Sequence, residues 1–138
     1  MKVLLDTNVL ISVMKPTGEV FHTIDRLWRQ DSFQLVLSKD LVRELARAPT
    51  YPKLRSFHGL QESDLQAFIM DLGQRAYIED VALRESYPSL RDPKDALVLS
   101  AAEGLRPDVI VTGDKDLLVL EQHDGIPIIS PRQFAGRF

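Results

Sequence analysis

Apolar residues occur along the chain in two kinds of run, short continuous stretches and longer stretches with helical spacing. Short runs bounded by polar residues predict buried strands of a parallel sheet, and they lie at residues 3–5, 33–37, 76–79, 108–112 and 126–129. Apolar residues that recur every three or four positions predict helices, and they lie near residues 9–13, 19–30, 39–46, 63–72, 92–102 and 117–120. Ser38 and Ser130 are typical helix N-caps. Strands therefore alternate with helices.

This alternation predicts an α/β fold with a mainly parallel sheet and helices on both faces. The chain has 138 residues and contains no internal repeat, low-complexity tract or linker. A chain of this length is large enough for one well-buried core. We therefore expect a single domain that spans residues 1–138.

The amino-acid composition and net charge argue against several classes of protein. Hydrophobic residues make up 44% of the chain and charged residues 27%, and no apolar stretch approaches the ~20 residues that span a bilayer. Because the first strand begins at once, we expect no signal peptide. The absence of cysteine excludes thiolate chemistry and favours a cytoplasmic location. A net charge of −3 argues against a strongly basic nucleic-acid binder, although not against a metal-dependent nuclease.

Acidic residues from separate elements are predicted at one edge of the sheet. They are Asp6 after the first strand, Glu44 on the helix after the second, Asp95 early in the helix before the fourth, and Asp114 after the fourth. In a parallel sheet this carboxyl edge is where ligands bind. Neighbouring strands are about 4.8 Å apart, so carboxylates at their ends can converge.

Each acid also has a structural alternative. Aspartate commonly caps helices, and surface glutamate commonly pairs with arginine one turn away. The alternatives are capping for Asp6 and for Asp92 with Asp95, an ion pair with Arg43 or Arg47 for Glu44, and turn and capping chemistry for Asp114 and Asp116. The functional interpretation depends on the acids occurring together.

Clustered carboxylates require a cation or a change of protonation. A site made only of oxygen ligands suits Mg²⁺ or Mn²⁺. His22, His58 and His123 are scattered without metal-ligand spacing, which argues against zinc. We therefore expect a magnesium or manganese site.

Four motifs together resemble the PIN-domain ribonucleases, in particular the branch related to VapC-type toxins of toxin–antitoxin pairs. The motifs are Asp6-Thr7-Asn8-Val9-Leu10-Ile11, Glu44, Asp92-Pro93-Lys94-Asp95-Ala96-Leu97 and Val111-Thr112-Gly113-Asp114-Lys115-Asp116-Leu117-Leu118. The resemblance covers essentially the whole chain. It implies a three-layer α/β/α fold whose five strands have the order 3-2-1-4-5.

The resemblance also implies roles for individual residues. It makes Asp6, Glu44, Asp95 and Asp114 the catalytic acids, with Asp6, Asp95, Asp114 and Asp116 as metal ligands. It makes Thr7, Asn8, Asp92 and Thr112 supporting residues. It implies an RNA substrate, a cognate antitoxin partner and a homodimer, and no association with membranes.

The expected reaction is hydrolysis of RNA phosphodiester bonds. Because no catalytic histidine is evident, we expect water rather than the ribose 2′-hydroxyl to attack, which leaves 5′-phosphate and 3′-hydroxyl ends. The RNA backbone has five candidate contacts, Lys15, Arg43, Arg47, Lys53 and Arg55. Solvated surface charge is an equally good explanation of each.

Three other functions are associated with parts of this sequence pattern. A haloacid-dehalogenase-like phosphatase requires a second aspartate where this chain has Asn8. A phospho-accepting receiver domain requires paired acids near the first strand and a lysine after the last strand, and this chain has neither. The third alternative is a catalytically silent PIN-like domain that acts as a protein- or RNA-binding scaffold, and the complete acidic set argues against it.

Overall fold

Six strands and the helices between them form the part of the chain that the computed structural model describes, residues 1–47, 61–84, 87 and 95–137. The strands are β1 (Lys2–Leu5), β2 (Gln34–Ser38), β3 (Tyr77–Glu79), β4 (Val109–Val111), β5 (Gln122–His123) and β6 (Ile126–Ile129). The helices are α1 (Thr7–Met14), α2 (Gly18–Arg29), α3 (Lys39–Ala46), α4 (Glu62–Arg75), α5 (Asp95–Leu105), α6 (Lys115–Leu118) and α7 (Pro131–Ala135).

The sheet has the strand order β3-β2-β1-β4-β6-β5. Pairing is parallel between all neighbours except β5 and β6, which pair antiparallel. The predicted order 3-2-1-4-5 is confirmed, with β6 as the fifth predicted strand. The register aligns Leu5 with Val111, so the residues that follow β1 and β4 are neighbours at the carboxyl edge.

The short strand β5 is the one departure from the predicted five strands. Two residues are too few to show a hydrophobic period. The turn between β5 and β6 is Asp124-Gly125, with φ angles of 51° and 78°. A two-residue turn with both φ angles positive suits the right-handed twist of a hairpin, and Asp-Gly is a strong sequence signal for it. That dipeptide could have revealed the hairpin.

The central strands are buried on both faces. All three residues of β4 have no exposed surface, and Val3, Leu4 and Leu5 of β1 are at most 1% exposed. Because successive strand residues point to opposite faces, both faces must be covered by other elements. The predicted three-layer arrangement is confirmed.

The two predicted N-caps are also confirmed. The Ser38 hydroxyl accepts a hydrogen bond from the Leu41 backbone amide at 3.1 Å. Ser130 forms a capping box, in which its hydroxyl accepts from the Gln133 amide at 3.2 Å and its own amide donates to the Gln133 side chain at 2.9 Å. Among the helices described, none is long and apolar enough to cross a membrane.

Helix α5 extends beyond its predicted carboxyl-terminal end. Its predicted first residues, 92–94, lie outside the described residues, and the helix is described from Asp95. It continues through Gly104, beyond the predicted end at residue 102, and ends at Leu105. At Gly104, α5 passes very close to the segment after β3. A side chain would not fit there, which explains why a glycine occupies this position inside the helix.

Gly104→Ala is therefore expected to destabilise the fold by about 1–2 kcal/mol. A Cβ atom at Gly104 would lie 2.7 Å from Val81 Cγ1 and 2.8 Å from Val81 Cβ. Gly73 in α4 has open space at the same position, so Gly73→Ala is the matched control and should stabilise by about 0.5–1 kcal/mol. Urea unfolding measures both. Equal stabilisation by the two substitutions would contradict the close approach.

Candidate functional site

Asp6 and Thr112 lie side by side at the carboxyl edge of the sheet. The Asp6 amide donates to the Val111 carbonyl at 3.0 Å, and the Thr112 amide donates to the Ile129 carbonyl at 3.0 Å. These backbone bonds extend the pairing of β1, β4 and β6 by one residue. Asp6 is 8% exposed and Thr112 is fully buried, so both side chains are held at the floor of the site.

The Thr112 hydroxyl connects two of the predicted acids. It donates to Asp6 Oδ2 at 2.6 Å and accepts from the Asp114 backbone amide at 3.0 Å. The Asp114 side chain in turn accepts from the Asp116 amide at 2.9 Å. One hydrogen-bonded chain therefore orders the three aspartates at this edge.

The capping alternatives have different outcomes for the two aspartates. Asp6 occupies the N-cap position of α1, but its side chain forms no capping hydrogen bond of standard geometry. The nearby backbone amides of Thr7 and Asn8 lower the pKa of its carboxyl group, and its Oδ2 atom accepts from Thr112. Asp114 does cap α6, through the bond to the Asp116 amide. Capping through Oδ1 leaves the second carboxylate oxygen of Asp114 available for a ligand.

Burial dominates the electrostatics of Asp6. Desolvation raises the pKa of its carboxyl group, and the nearby negative charge of Asp114 raises it further. The hydrogen bond from Thr112 acts in the opposite direction, and the net shift of the pKa is upward. An ionised Asp6 is therefore unfavourable in the folded protein unless a positive charge is close to it.

Three further carboxylates converge at the same edge. Asp95, Asp114 and Asp116 each offer an oxygen atom within 4.8 Å of the others. Asp95 is the first residue of α5 and only 6% exposed, and it is brought here because α5 begins at the carboxyl edge. The fold thus unites acids from α5 with those that follow β4.

The donor set fits a hard divalent ion. All ligand atoms in this group are carboxylate oxygens, which Mg²⁺ and Mn²⁺ prefer. The close spacing of the negative groups creates mutual repulsion, which a divalent cation relieves. The residues present at the edge therefore match the chemistry of the predicted ion.

Glu44 occupies a different position from the aspartates. It is half-buried on α3, a helix that packs against α5. Within the described parts of the chain, it does not belong to the group formed by Asp95, Asp114 and Asp116. Its role as a fourth catalytic acid stays a prediction.

Three of the four predicted supporting residues lie within the described part of the chain. Thr7 is buried and Asn8 is exposed in the first turn of α1, directly after Asp6. Thr112 makes the two bonds described above. Asp92 lies outside the described residues.

Two of the five basic residues proposed for RNA make surface ion pairs within the described part of the chain. Lys15 Nζ lies 3.1 Å from Asp64 Oδ2, and Arg43 Nη1 lies 2.8 Å from Asp40 Oδ1. Exposed pairs of this kind contribute little free energy, so they leave open both RNA contact and simple solvation. Arg47 is exposed at the end of α3. Lys53 and Arg55 lie outside the described residues.

A second group, which the sequence pattern does not indicate, is formed by Glu103, His123 and Asp124. These residues each offer a ligand atom within 4.8 Å of the others. They lie near the end of α5 and the start of β6, which is the opposite edge of the sheet. No regular spacing in the sequence connects a helix with a distant hairpin, so this group could not be recognised from spacing.

Comparisons with known proteins identify the family. The PIN domain family model matches residues 2–116, which include all the acids at the carboxyl edge. No curated protein sequence matches the chain significantly. Several solved structures share the fold. A chain of the Rickettsia felis VapBC2 complex, bound to a DNA fragment from its promoter, is 14% identical with a TM-score of 0.62, over 94% of this chain and 98% of that one.

The second structure is VapC20 of Mycobacterium tuberculosis, described as a sarcin–ricin loop cleaving toxin. It is 13% identical with a TM-score of 0.60, over 91% of this chain and 99% of that one. The family match covers most of the sequence, and the shared architecture extends over nearly the whole chain. This protein belongs to the PIN domain family.

Proposed function

We propose that this PIN domain is a ribonuclease that hydrolyses phosphodiester bonds at the carboxyl edge, with Mg²⁺ or Mn²⁺ as cofactor. The observation that carries the proposal is the convergence of Asp95, Asp114 and Asp116 beside the buried Asp6. The similarity in fold to VapC20, a toxin that cleaves the sarcin–ricin loop, supports RNA as the substrate. The residues and the fold thus favour the same chemistry.

The acids have complementary roles in this proposal. Asp6, Asp95, Asp114 and Asp116 hold the ion, and Glu44 completes the acidic set at the side of α3. The ion supplies Lewis-acid chemistry, because it neutralises charge on the phosphate and lowers the pKa of water. Asp6 is kept in position by the 2.6 Å hydrogen bond from Thr112.

The hydrogen-bonded chain preorganises the site. The Thr112 hydroxyl donates to Asp6, so it directs its lone pairs away from Asp6 and towards the Asp114 amide. Groups that are already aligned require little reorganisation during the reaction. Thr7 and Asn8 are proposed to support the acids from the first turn of α1, and Asp92 is proposed as a further supporting residue.

The substrate is proposed to lie across this edge with its phosphates near basic side chains. The candidates within the described residues are Lys15, Arg43 and Arg47. Lys53 and Arg55, which lie outside them, are candidates from the sequence alone. Salt-dependent binding is the general signature of phosphate contacts.

We also propose that the protein is the toxin of a toxin–antitoxin pair, and that a cognate antitoxin covers the acidic edge. We propose further that the protein is a homodimer and is located in the cytoplasm.

Analysis of the product ends tests the reaction directly. Within the described residues, no histidine belongs to the acidic group at the carboxyl edge, so no imidazole is placed there to activate a ribose 2′-hydroxyl. We expect cleavage of a structured RNA that needs Mg²⁺ or Mn²⁺ and leaves 5′-phosphate and 3′-hydroxyl ends. Sensitivity of the product to a 5′-phosphate-dependent exonuclease and mass spectrometry of the ends provide the readout. Ends with 2′,3′-cyclic phosphate, or cleavage in EDTA, would refute the mechanism.

A further inference from the structure

Glu103, His123 and Asp124 form a compact group at the edge of the sheet opposite the acidic site. Glu103 lies near the end of α5, His123 lies in β5, and Asp124 begins the turn between β5 and β6. One atom from each residue lies within 4.8 Å of the others. The group therefore bridges a central helix and the outermost hairpin.

The imidazole of His123 has an unusual environment. Its Nε2 atom is buried and forms no hydrogen bond of standard geometry among the described residues, although its approach to Glu103 lowers the pKa of that carboxyl group. The nearest carboxylate oxygen is Glu103 Oε2 at 3.5 Å, which is too long for a good hydrogen bond. Two ligands at about 2.0–2.1 Å from a tetrahedral zinc ion are roughly 3.3 Å apart. The observed separation is therefore close to that of two ligands of one ion.

Glu103 is surrounded by groups that favour its ionised form. The Tyr87 hydroxyl donates to Glu103 Oε2 and lies 3.1 Å from Ser100 Oγ, also on α5. Partial burial opposes ionisation of Glu103, but the hydrogen bond from Tyr87 and the neighbouring His123 and Arg84 outweigh it, and the pKa of Glu103 is lowered. Metal-binding carboxylates commonly have such outer partners.

Two arginines add positive charge near the group. Arg84 Nη1 lies 3.6 Å from Glu103 Oε1, and Arg106 Nη1 lies 3.9 Å from Asp124 Oδ2. Both side chains are more than half exposed, so these pairs are loose and can rearrange at little energetic expense. Arg84 approaches Oε1, whereas His123 faces Oε2, so the two do not compete for the same carboxylate oxygen.

We propose that Glu103, His123 and Asp124 bind a transition-metal ion of the Zn²⁺ class, which fastens the β5–β6 hairpin to α5. An imidazole with two carboxylates favours Zn²⁺ over Mg²⁺, whereas the carboxyl edge offers only oxygen. The site is distinct from the proposed nuclease centre and does not depend on nuclease activity. It also revises the expectation, based on sequence spacing, that zinc does not bind.

Calorimetric titration of Zn²⁺ in a large excess of Mg²⁺ tests the site. We expect one Zn²⁺ per chain in both the wild-type protein and Asp114→Asn. In the wild-type protein Mg²⁺ occupies the acidic site at the carboxyl edge, and in Asp114→Asn the substitution disables that site. His123→Gln and Asp124→Asn should each weaken Zn²⁺ binding by at least about tenfold. Zn²⁺ should also raise the melting temperature of the wild-type protein, because it binds the folded state.

Matched controls separate the site from general surface binding. His22→Gln changes an exposed histidine on α2, and Asp31→Asn changes an exposed aspartate with φ of 56°, close to the 51° of Asp124. Asparagine tolerates this left-handed conformation, so both Asp→Asn variants should fold normally. Absence of Zn²⁺ binding, or equal binding by His123→Gln, Asp124→Asn and the controls, would overturn the proposal.

Discussion

Asp114→Asn is expected to reduce metal-dependent RNA cleavage by at least about a hundredfold, on the scale of losing one preorganised electrostatic group. Asp114 lies within the carboxylate group, and its charge acts on the buried Asp6. Asparagine keeps a carbonyl oxygen that can accept from the Asp116 amide, so the cap of α6 is retained. The substitution therefore removes negative charge from the centre and preserves the local backbone.

Initial rates at saturating Mn²⁺ measure this effect, and calorimetry measures ion binding by the same variant. Asp31→Asn makes the same chemical change at an exposed position before β2, remote from the carboxyl edge, and should retain wild-type activity. Unchanged cleavage by Asp114→Asn would remove Asp114 from the mechanism. If both variants lost activity equally, the loss would reflect folding rather than the site.

Asp6→Asn is expected to stabilise the metal-free protein at neutral pH while it abolishes cleavage. Burial raises the pKa of Asp6 above its ordinary value of 3.8, so the folded state binds its proton more tightly than the unfolded state. The stability that this provides is fully present below pH 3.8 and is lost as the pH rises through the raised pKa. Asparagine can still accept the hydrogen bond from Thr112, but it has no charge to desolvate.

Thermal unfolding in EDTA at about pH 4 and about pH 7 measures the sign of this effect. The variant should melt a few degrees higher at neutral pH, since about 1 kcal/mol shifts the melting temperature by roughly 4 °C in a chain of this size. The gain should shrink in acid, where wild-type Asp6 is protonated. Added Mn²⁺ should reverse the order, because it stabilises the wild-type fold by binding. A gain that does not depend on pH would contradict the assigned cause.

The features that could be predicted from the sequence are those set by local pattern and topology. Buried strand runs and short connections define a parallel sheet, and Asp6 and Asp114 then lie at neighbouring strand ends because β1 pairs with β4. Ser38 and Ser130 were predicted as caps because capping involves only the next few residues. These inferences need no knowledge of side-chain orientation.

The features that could not be predicted depend on how helices sit against the sheet. The helical pattern places Glu44 and Asp95 on their helices, but only the packing of α3 and α5 determines which carboxylate approaches Asp114. The proximity of Glu103 and His123 depends in the same way on where α5 ends relative to β5. A residue pattern describes each element along its axis and contains no distance between elements.

The bond between Thr112 and Asp6 also constrains when the protein can become active. These partners are separated by 106 positions in the sequence, so forming their contact closes a very long loop, a slow kind of step in folding. During synthesis, β1 cannot pair with β4 until β4 has left the ribosome. A truncated or incomplete chain therefore lacks the assembled acidic site, and the proposed nuclease stays inactive until nearly all of the chain has been translated.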